Sequence, residues 1–338
     1  MTEPRTHARF PEAAAGAGHY ESFYLKACPP GGGLGVWIRY TVLKPPGAPA
    51  AGSLWCTLFD AAAPAPAAAK VTLAPDQVRR PAGGYLAVGT ASFEPGRVAG
   101  AAPSAPTPAA WELRLEPTAA AYEHFPRAWM YRAPLPRTKL RSPYPAVRVD
   151  GDLTMGDRRV RLDGWPGMVG HNWGAEHAER WVWLHGAGFD GRDDGTFLDV
   201  AAGRVRLGGR TTPFVANGVL SLDGVRHQLG GLTRTRATRL AERPDGCRFR
   251  LPGRGVTVEG AVEAPRKDLV GWVYADPAGG RHDVVNCSIA TMRLVVHRPG
   301  HDPVELRSAR GAAYELGMRE RDHGVPLQPY PDGPQAAD

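Results

Sequence analysis

The chain has 338 residues, 43% of them hydrophobic, which suits about two domains of ordinary size and excludes a disordered protein. Its formal charge of +7 and pI near 9.4 come from scattered arginines, with only short runs at Arg79-Arg80 and Arg158-Arg159. A scattered charge makes a solvated basic surface and gives no nucleic-acid-binding patch or module.

In chain order, residues 1–18 carry Glu3 and Glu12 and no apolar run, so they do not read as a secretory signal. Strand-length apolar runs follow at 19–28, 34–43, 52–60, 84–93, 111–116, 127–132 and 146–155. Residues 157–163 read as the return strand of a hairpin that turns at Gly156-Asp157. Two Ala/Pro-rich stretches, 61–69 and 99–110, read as loops, because proline removes backbone donors. A single helical turn is expected near 118–125.

The second half repeats the style, with strands expected at 167–174, 180–188, 195–207, 213–223, 225–232, 235–242, 246–251, 255–263, 268–275, 281–297 and 303–315. Asp223-Gly224 between apolar runs marks a hairpin turn. Abundant Gly (42) and Pro (33) fit a chain that turns often. The expected fold class is all-β, with two tandem antiparallel barrels. Residues 1–165 form the first, 166–320 the second, and 321–338 a poorly ordered Pro-rich tail. Closure would remove exposed strand edges and can leave an apolar interior.

Cys28, Cys56, Cys247 and Cys287 form no C-x-x-C pair and match no zinc spacing, so neither disulfide nor structural zinc is expected. With no apolar run long enough for a membrane helix, the expectation is a cytoplasmic protein without an integral membrane segment. Peripheral contact with an anionic membrane stays open, and the oligomeric state is not fixed by the sequence.

The densest chemistry lies at 170–185, with three Trp, three His and two Glu in sixteen residues. Strand alternation sends Trp181, Trp183 and His185 to one face, with Val182 and Leu184 opposite. Two readings stand together: a core face whose donors meet backbone carbonyls, or an aromatic-lined pocket with titratable groups at its edge. His171, His177 and His185 make no H-E-x-x-H and no fixed ligand set, so no metal is expected.

Arg39 interrupts the apolar run Val36–Thr41. A buried guanidinium needs a partner. Either Glu21 or Asp60 pairs with it, the reading favoured by sequence, or it anchors a ligand oxygen. Glu21 is ionised if it pairs with Arg39. If it instead faces an apolar cavity alone, it stays protonated and can serve as a proton donor. Glu176 and His177, just after the Asn172-Trp173-Gly174 turn, are the other candidate acids. Asp199 is expected to serve the backbone.

The run His171-Asn172-Trp173-Gly174 followed by Trp181-Val182-Trp183-Leu184-His185 resembles the N-W-G…W-x-W signature of the hydroxyneurosporene synthase (carotenoid 1,2-hydratase-like) and tocopherol cyclase group. Tyr20–Ala27 followed by Trp37–Thr41, and Leu54-Trp55 through Phe59-Asp60, resemble its opening strands. The resemblance spans roughly residues 18–318 and implies two lipocalin-like domains. It also implies a lyase- or isomerase-type enzyme, a hydratase, cyclase or pericyclase, acting on a hydrophobic polyene or isoprenoid without a cofactor. A non-catalytic lipid or pigment carrier is the alternative. His171 stands where the cyclases carry Lys, so cyclase activity does not transfer. The expected site is Glu21, Glu176 and His177 for proton transfer, with Arg39, His171, Asn172, Trp173, Trp181, Trp183 and His185 around the ligand.

Overall fold

The computed structural model describes residues 6–14, 16–207 and 209–330. The chain folds as two large antiparallel sheets, built on one plan. In the first, the strands run outward from His19–Ala27 through Leu34–Lys44 and Ala51–Asp60 to Ala67–Leu73. On its other side, His19–Ala27 pairs with Arg158–Gly174, the last strand of this half. From there the order continues through Thr138–Met155, Ala109–Pro117, Arg97–Ala102, Ala91–Glu94 and Leu86–Val88 to Val78–Arg79. The two ends of the sheet, Ala67–Leu73 and Val78–Arg79, are consecutive in the chain and joined by one short 3₁₀ turn at Pro75–Gln77. The result is a nearly closed up-and-down barrel.

The second sheet repeats this. Its first strand, Arg180–Ala187, pairs with its last, Val304–Met318. Its ends, Val225–Gly230 and Arg239–Arg243, are again consecutive in the chain, and a lone bridge from Leu229 to Gly253 spans the gap near them. This half is a more open barrel. The all-β expectation of two lipocalin-like barrels therefore holds, and among the described residues no helix is long and apolar enough to cross a membrane.

Alternation decides what each face does. In the first half, Phe23, Leu25, Val36, Ile38, Tyr40 and Val42 point into the barrel and join its core. Their neighbours Trp37, Trp55 and Phe59 point outward and join the core of the second half. The halves thus pack sheet on sheet through a buried seam, with Trp272 against both Trp37 and Trp55.

Several expected boundaries move. The break placed at 163–166 falls inside the strand Arg158–Gly174, so the chain passes between sheets at residues 175–179. This strand pairs on both sides, with His19–Ala27 and with Thr138–Met155, and it carries register shifts instead of a stop. Residues 99–110 and 61–69 are not plain loops, since Arg97–Ala102, Ala109–Pro117 and Ala67–Leu73 are strands. Sheet pairing overrides the local Ala/Pro bias there. Residues 84–93 split at Gly89, whose φ of +59° makes the turn. Ala128–Tyr131 is a 3₁₀ turn, not a strand, and Tyr122–Glu123 is a short strand, not a helical turn. The tail is ordered through Tyr330, because Val325 and Tyr330 bury their side chains and Gln328 N–H bonds Gly271 O at 2.8 Å. Residues 331–338 of the expected tail lie outside the described residues.

Candidate functional site

The expected site residues fall into three places. The first is the interior of the first barrel at one end. Glu21 and Trp173 are cross-strand partners, as are Phe23 and His171. His171 is sandwiched between Phe23 and Trp173, with ring centroids 4.0 and 4.4 Å away. Its Nε2 lies 2.7 Å from Glu21 Oε1. The backbone N–H groups of Arg9 and Phe10 also donate to the Glu21 carboxylate at 2.7–2.8 Å. Glu21 therefore does not pair with Arg39, because alternation sends it into the barrel while Arg39 points out. Burial alone would raise its pKa, but hydrogen bonds from His171 and His19 outweigh that and hold it at about 2. Glu21 is ionised at neutral pH and pins the N-terminal segment across the barrel end. Burial, aided by Arg9 and Arg141 against the pull of Glu21, lowers His171 to about 4 and keeps it neutral.

A pH dependence follows. The Glu21 contribution is complete above the ordinary 4.5 and fades as pH falls toward 2. His171, held at about 4 rather than 6.5, keeps its contribution above 6.5 and loses it as pH falls through 4. His171 alone should lower the stability seen in urea unfolding by on the order of 3 kcal/mol between pH 7 and pH 4, and His185 and His282, lowered likewise, add to that fall. A flat profile over that window would contradict this charge state.

The second place is the seam. Tyr24, Arg39, Trp55 and Lys70 form one lateral row across four strands, each opposite the next. Aromatic and cationic groups alternate along it, with Lys70 Nζ 3.7 Å and Arg39 Cζ 5.5 Å from the Trp55 ring centroid. Arg39 also lies over Tyr274 of the second half, 3.8 Å from the ring centroid. It pairs with neither Glu21 nor Asp60, which binds Arg158. Its Nη1 is buried without any hydrogen-bond partner.

The second half meets this row with acids and indoles. Trp181, Trp183 and His185 project together, as alternation predicts, toward the first half, while Val182 and Leu184 enter the second core. Half-buried Glu315 accepts from Trp181 Nε1 at 2.8 Å, Asn286 Nδ2 at 3.1 Å and the Tyr274 hydroxyl at 3.2 Å. Glycines let the rings lie flat. A Cβ at Gly170 would meet the Tyr24 ring at 2.1 Å, and one at Gly317 the Trp181 ring at 2.2 Å. Gly170→Ala and Gly317→Ala should each cost about 1–3 kcal/mol in denaturant unfolding through overpacking. Wild-type stability in both would show that the rings have room to tilt away.

Beyond Trp183, Asp199 is fully buried and serves side chains, not the backbone expected of it. It accepts from Ser142, and from Trp183 Nε1 at 3.3 Å, with His124 Nε2 3.4 Å away. Burial opposes its ionisation, but His124 and the other donors hold its pKa low. His185 donates from Nε2–H to Pro145 O at 2.9 Å, and burial lowers its pKa to about 4.

The third place is the linker at the seam's rim. Glu176 is ion-paired to Arg137 at the surface. Asn172 points away from the barrel interior and accepts from Ser22 Oγ at 2.8 Å. His177 directs both its backbone N–H and Nδ1 to Asp276 Oδ1, at 2.9 and 2.8 Å. Its ring stacks on Tyr20 at 3.8 Å and faces Trp181 and Tyr274 at 5.4 and 5.9 Å. His282, directly opposite Tyr274, brings Nδ1 within 3.4 Å of Asp276 Oδ2. Burial, then the neighbouring His177, lowers His282 to about 4. Sequence spacing hid this His–Asp–His group, because its third member lies more than a hundred residues from the first.

The four cysteines are buried and free. The best-formed pockets are small. One, lined by Cys28, Gly32, Pro166 and Ser308, has room for about 10 Å³, and the other for essentially none. The seam is filled by its own side chains, with Trp181, Tyr24 and Glu315 still partly exposed.

No protein-family model matches the chain. It is 29% identical over 322 residues to Uncharacterized protein Rv0493c of Mycobacterium tuberculosis (strain ATCC 25618 / H37Rv), covering 92% of this chain and 93% of that one. Among solved structures, it resembles a putative AttH from Nitrosomonas europaea (TM-score 0.51, 13% identity, 94% of this chain and 98% of that one). It also resembles CghA with Sch210972 (TM-score 0.51, 13% identity, 89% of each chain). A third likeness is to kievitone hydratase from Nectria haematococca (TM-score 0.53, 7% identity, 92% of this chain and 90% of that one). At these identities the likenesses establish the shared fold.

Proposed function

We propose that the chain is a lipocalin-like enzyme of lyase or isomerase type. Its substrate is a hydrophobic, polyene- or isoprenoid-like molecule bearing an oxygen function, held in the seam between the halves. One observation carries this reading: Arg39 is a buried guanidinium in mid-strand, its Cζ over the Tyr274 ring, with Nη1 bonded to nothing. Leaving a buried charged donor unpaired costs more than any packing it supplies. A carbonyl or carboxylate oxygen of a ligand would satisfy it.

The surrounding rings suit the rest of such a molecule. Where the filled seam parts to admit a ligand, Tyr24, Trp55, Trp181, Trp183 and Tyr274 would present apolar faces to hold one folded conformer, and indole faces attract developing positive charge by about 0.5–2 kcal/mol each. The expected proton donors fit less well. Glu21 is ionised inside the first barrel, Glu176 is paired at the surface and His177 is committed to Asp276. The reading therefore leans on conformer holding more than on a carboxylic acid. The name of kievitone hydratase and the structure of CghA with Sch210972 support a chemical or ligand-holding role for this fold.

The test is solvent extraction and native mass spectrometry of the purified protein, followed by incubation of any retained molecule to detect turnover. Retention with conversion supports the enzyme, and retention without conversion supports a carrier. The filled seam favours a third reading, a scaffold with no small-molecule ligand. That reading gains if nothing is retained and tryptophan fluorescence ignores every polyene offered.

A further inference from the structure

We propose that His177, Asp276 and His282 bind one divalent transition-metal ion, zinc-like in its ligand preference, at the rim of the seam. The donors come from the linker between the sheets, from the turn at Asp276–Gly280 and from the start of the strand Arg281–His297. All three donor atoms lie within 4.8 Å of one another. His177 Nδ1 is 2.8 Å from Asp276 Oδ1, and His282 Nδ1 is 3.4 Å from Oδ2. Zinc bonds of about 2.0–2.2 Å at tetrahedral angles separate adjacent donors by roughly 3.4 Å. The set needs only small shifts to close on an ion.

A second observation points the same way. His282 is 0% exposed, yet neither of its ring nitrogens has a hydrogen-bond partner. Nε2 of His177 is likewise buried and unpartnered. Buried imidazoles ordinarily satisfy their nitrogens, and coordination would give His282 Nδ1 the partner it lacks. The competing cation is weakly placed. Arg319 Nη2 stands 3.6 Å from Asp276 Oδ2, while its Nε donates to Glu179 at 2.9 Å, so it can withdraw without losing its main partner.

Two imidazoles and a carboxylate suit zinc, cobalt, nickel or iron(II) better than magnesium or calcium. Three protein ligands leave a coordination position open. Tyr274, whose ring Arg39 covers, also borders His177. An ion here would therefore polarise an oxygen of a molecule held in the seam, supplying the electrophile that the carboxylates do not. That last role rests on the proposed function, whereas the binding itself does not.

The test uses the full-length protein, stripped with chelator and titrated with cobalt(II), read by visible ligand-field bands and calorimetry. One equivalent should bind, with micromolar affinity or better. His282→Ala and Asp276→Asn should weaken binding at least about a hundredfold, more than loss of an outer-shell partner costs. Arg319→Ala should tighten it severalfold by removing the competing cation. Far-UV circular dichroism checks each variant's fold. Folded wild-type protein that takes up neither cobalt nor zinc stoichiometrically overturns the proposal. So does a folded His282→Ala variant that binds as wild type. If His282→Ala does not fold, Arg319→Ala decides, and unchanged or weaker binding there counts against the site. Because binding is read without substrate, a failure here leaves the Arg39 reading standing, and the reverse also holds.

Discussion

Arg39→Met should leave the protein as stable as wild type, or more stable, while ligand affinity or kcat/KM drops about ten- to a hundredfold. The two effects separate because they draw on different interactions. In the folded chain, Arg39 has ring contacts with Tyr274 and Trp55 but no acceptor at Nη1. Losing the cation–π contacts costs about 0.5–2 kcal/mol. Replacing a buried charge by an apolar side chain of similar volume typically recovers about 1–4 kcal/mol. The net effect on unfolding is near zero or favourable. Toward a ligand oxygen, the lost bond to a charged donor is worth roughly 1.5–3 kcal/mol, which sets the fall in affinity. Paired denaturant unfolding and ligand-retention measurements decide it. A variant destabilised by more than about 2 kcal/mol would show that Arg39 is a structural residue, since most surface and neutral core changes cost less.

Glu21→Gln should be the most destabilising of the single substitutions considered, by about 3–5 kcal/mol, as expected when one partner of a buried charged network is removed. The carboxylate accepts from two backbone N–H groups of the N-terminal segment and from His171, all within 2.8 Å. Glutamine keeps one oxygen and presents an NH₂ to donors that need an acceptor. Ala8, fully buried against the barrel core, would lose its anchor with the neighbouring residues. Trypsin should therefore cut after Arg9 much faster in the variant than in wild type. Turnover per folded molecule should not change, because an ionised group inside the barrel does not donate the proton. Wild-type stability together with lost turnover would restore Glu21 as the acid.

Much of the fold was legible in the sequence because period-two patterning and turn residues are local signals. Trp181, Trp183 and His185 on one face opposite Val182 and Leu184 followed from spacing alone. The hairpin at Gly156-Asp157 did too. The site was legible only as a set of residue types. The partners of Glu21 lie 150 residues away at His171 and twelve away at Arg9, and nothing local distinguishes that pairing from one with Arg39. The decisive variable was which side of a strand faced the barrel and which faced the other half. Composition also misled where pairing outweighed it. Ala67–Leu73 and Arg97–Ala102 are strands despite flanking alanines and prolines, because neighbouring strands supply their hydrogen bonds.

The pairing of first strand with last in each half bears on how the chain is made. His19–Ala27 leaves the ribosome early, but its partner Arg158–Gly174 follows about 150 residues later, as the Ser22–Asn172 contact shows. The second half repeats the wait, with 134 residues between Trp181 and Glu315. Until then one edge of each opening strand is unpaired and apolar, the condition that favours association with other chains. Contacts so distant in sequence also slow closure. Nascent-chain folding should therefore proceed in two late steps, one after residue 174 and one after residue 318 has cleared the exit tunnel. A ribosome stalled between them should carry a protease-resistant first barrel beside an open second one.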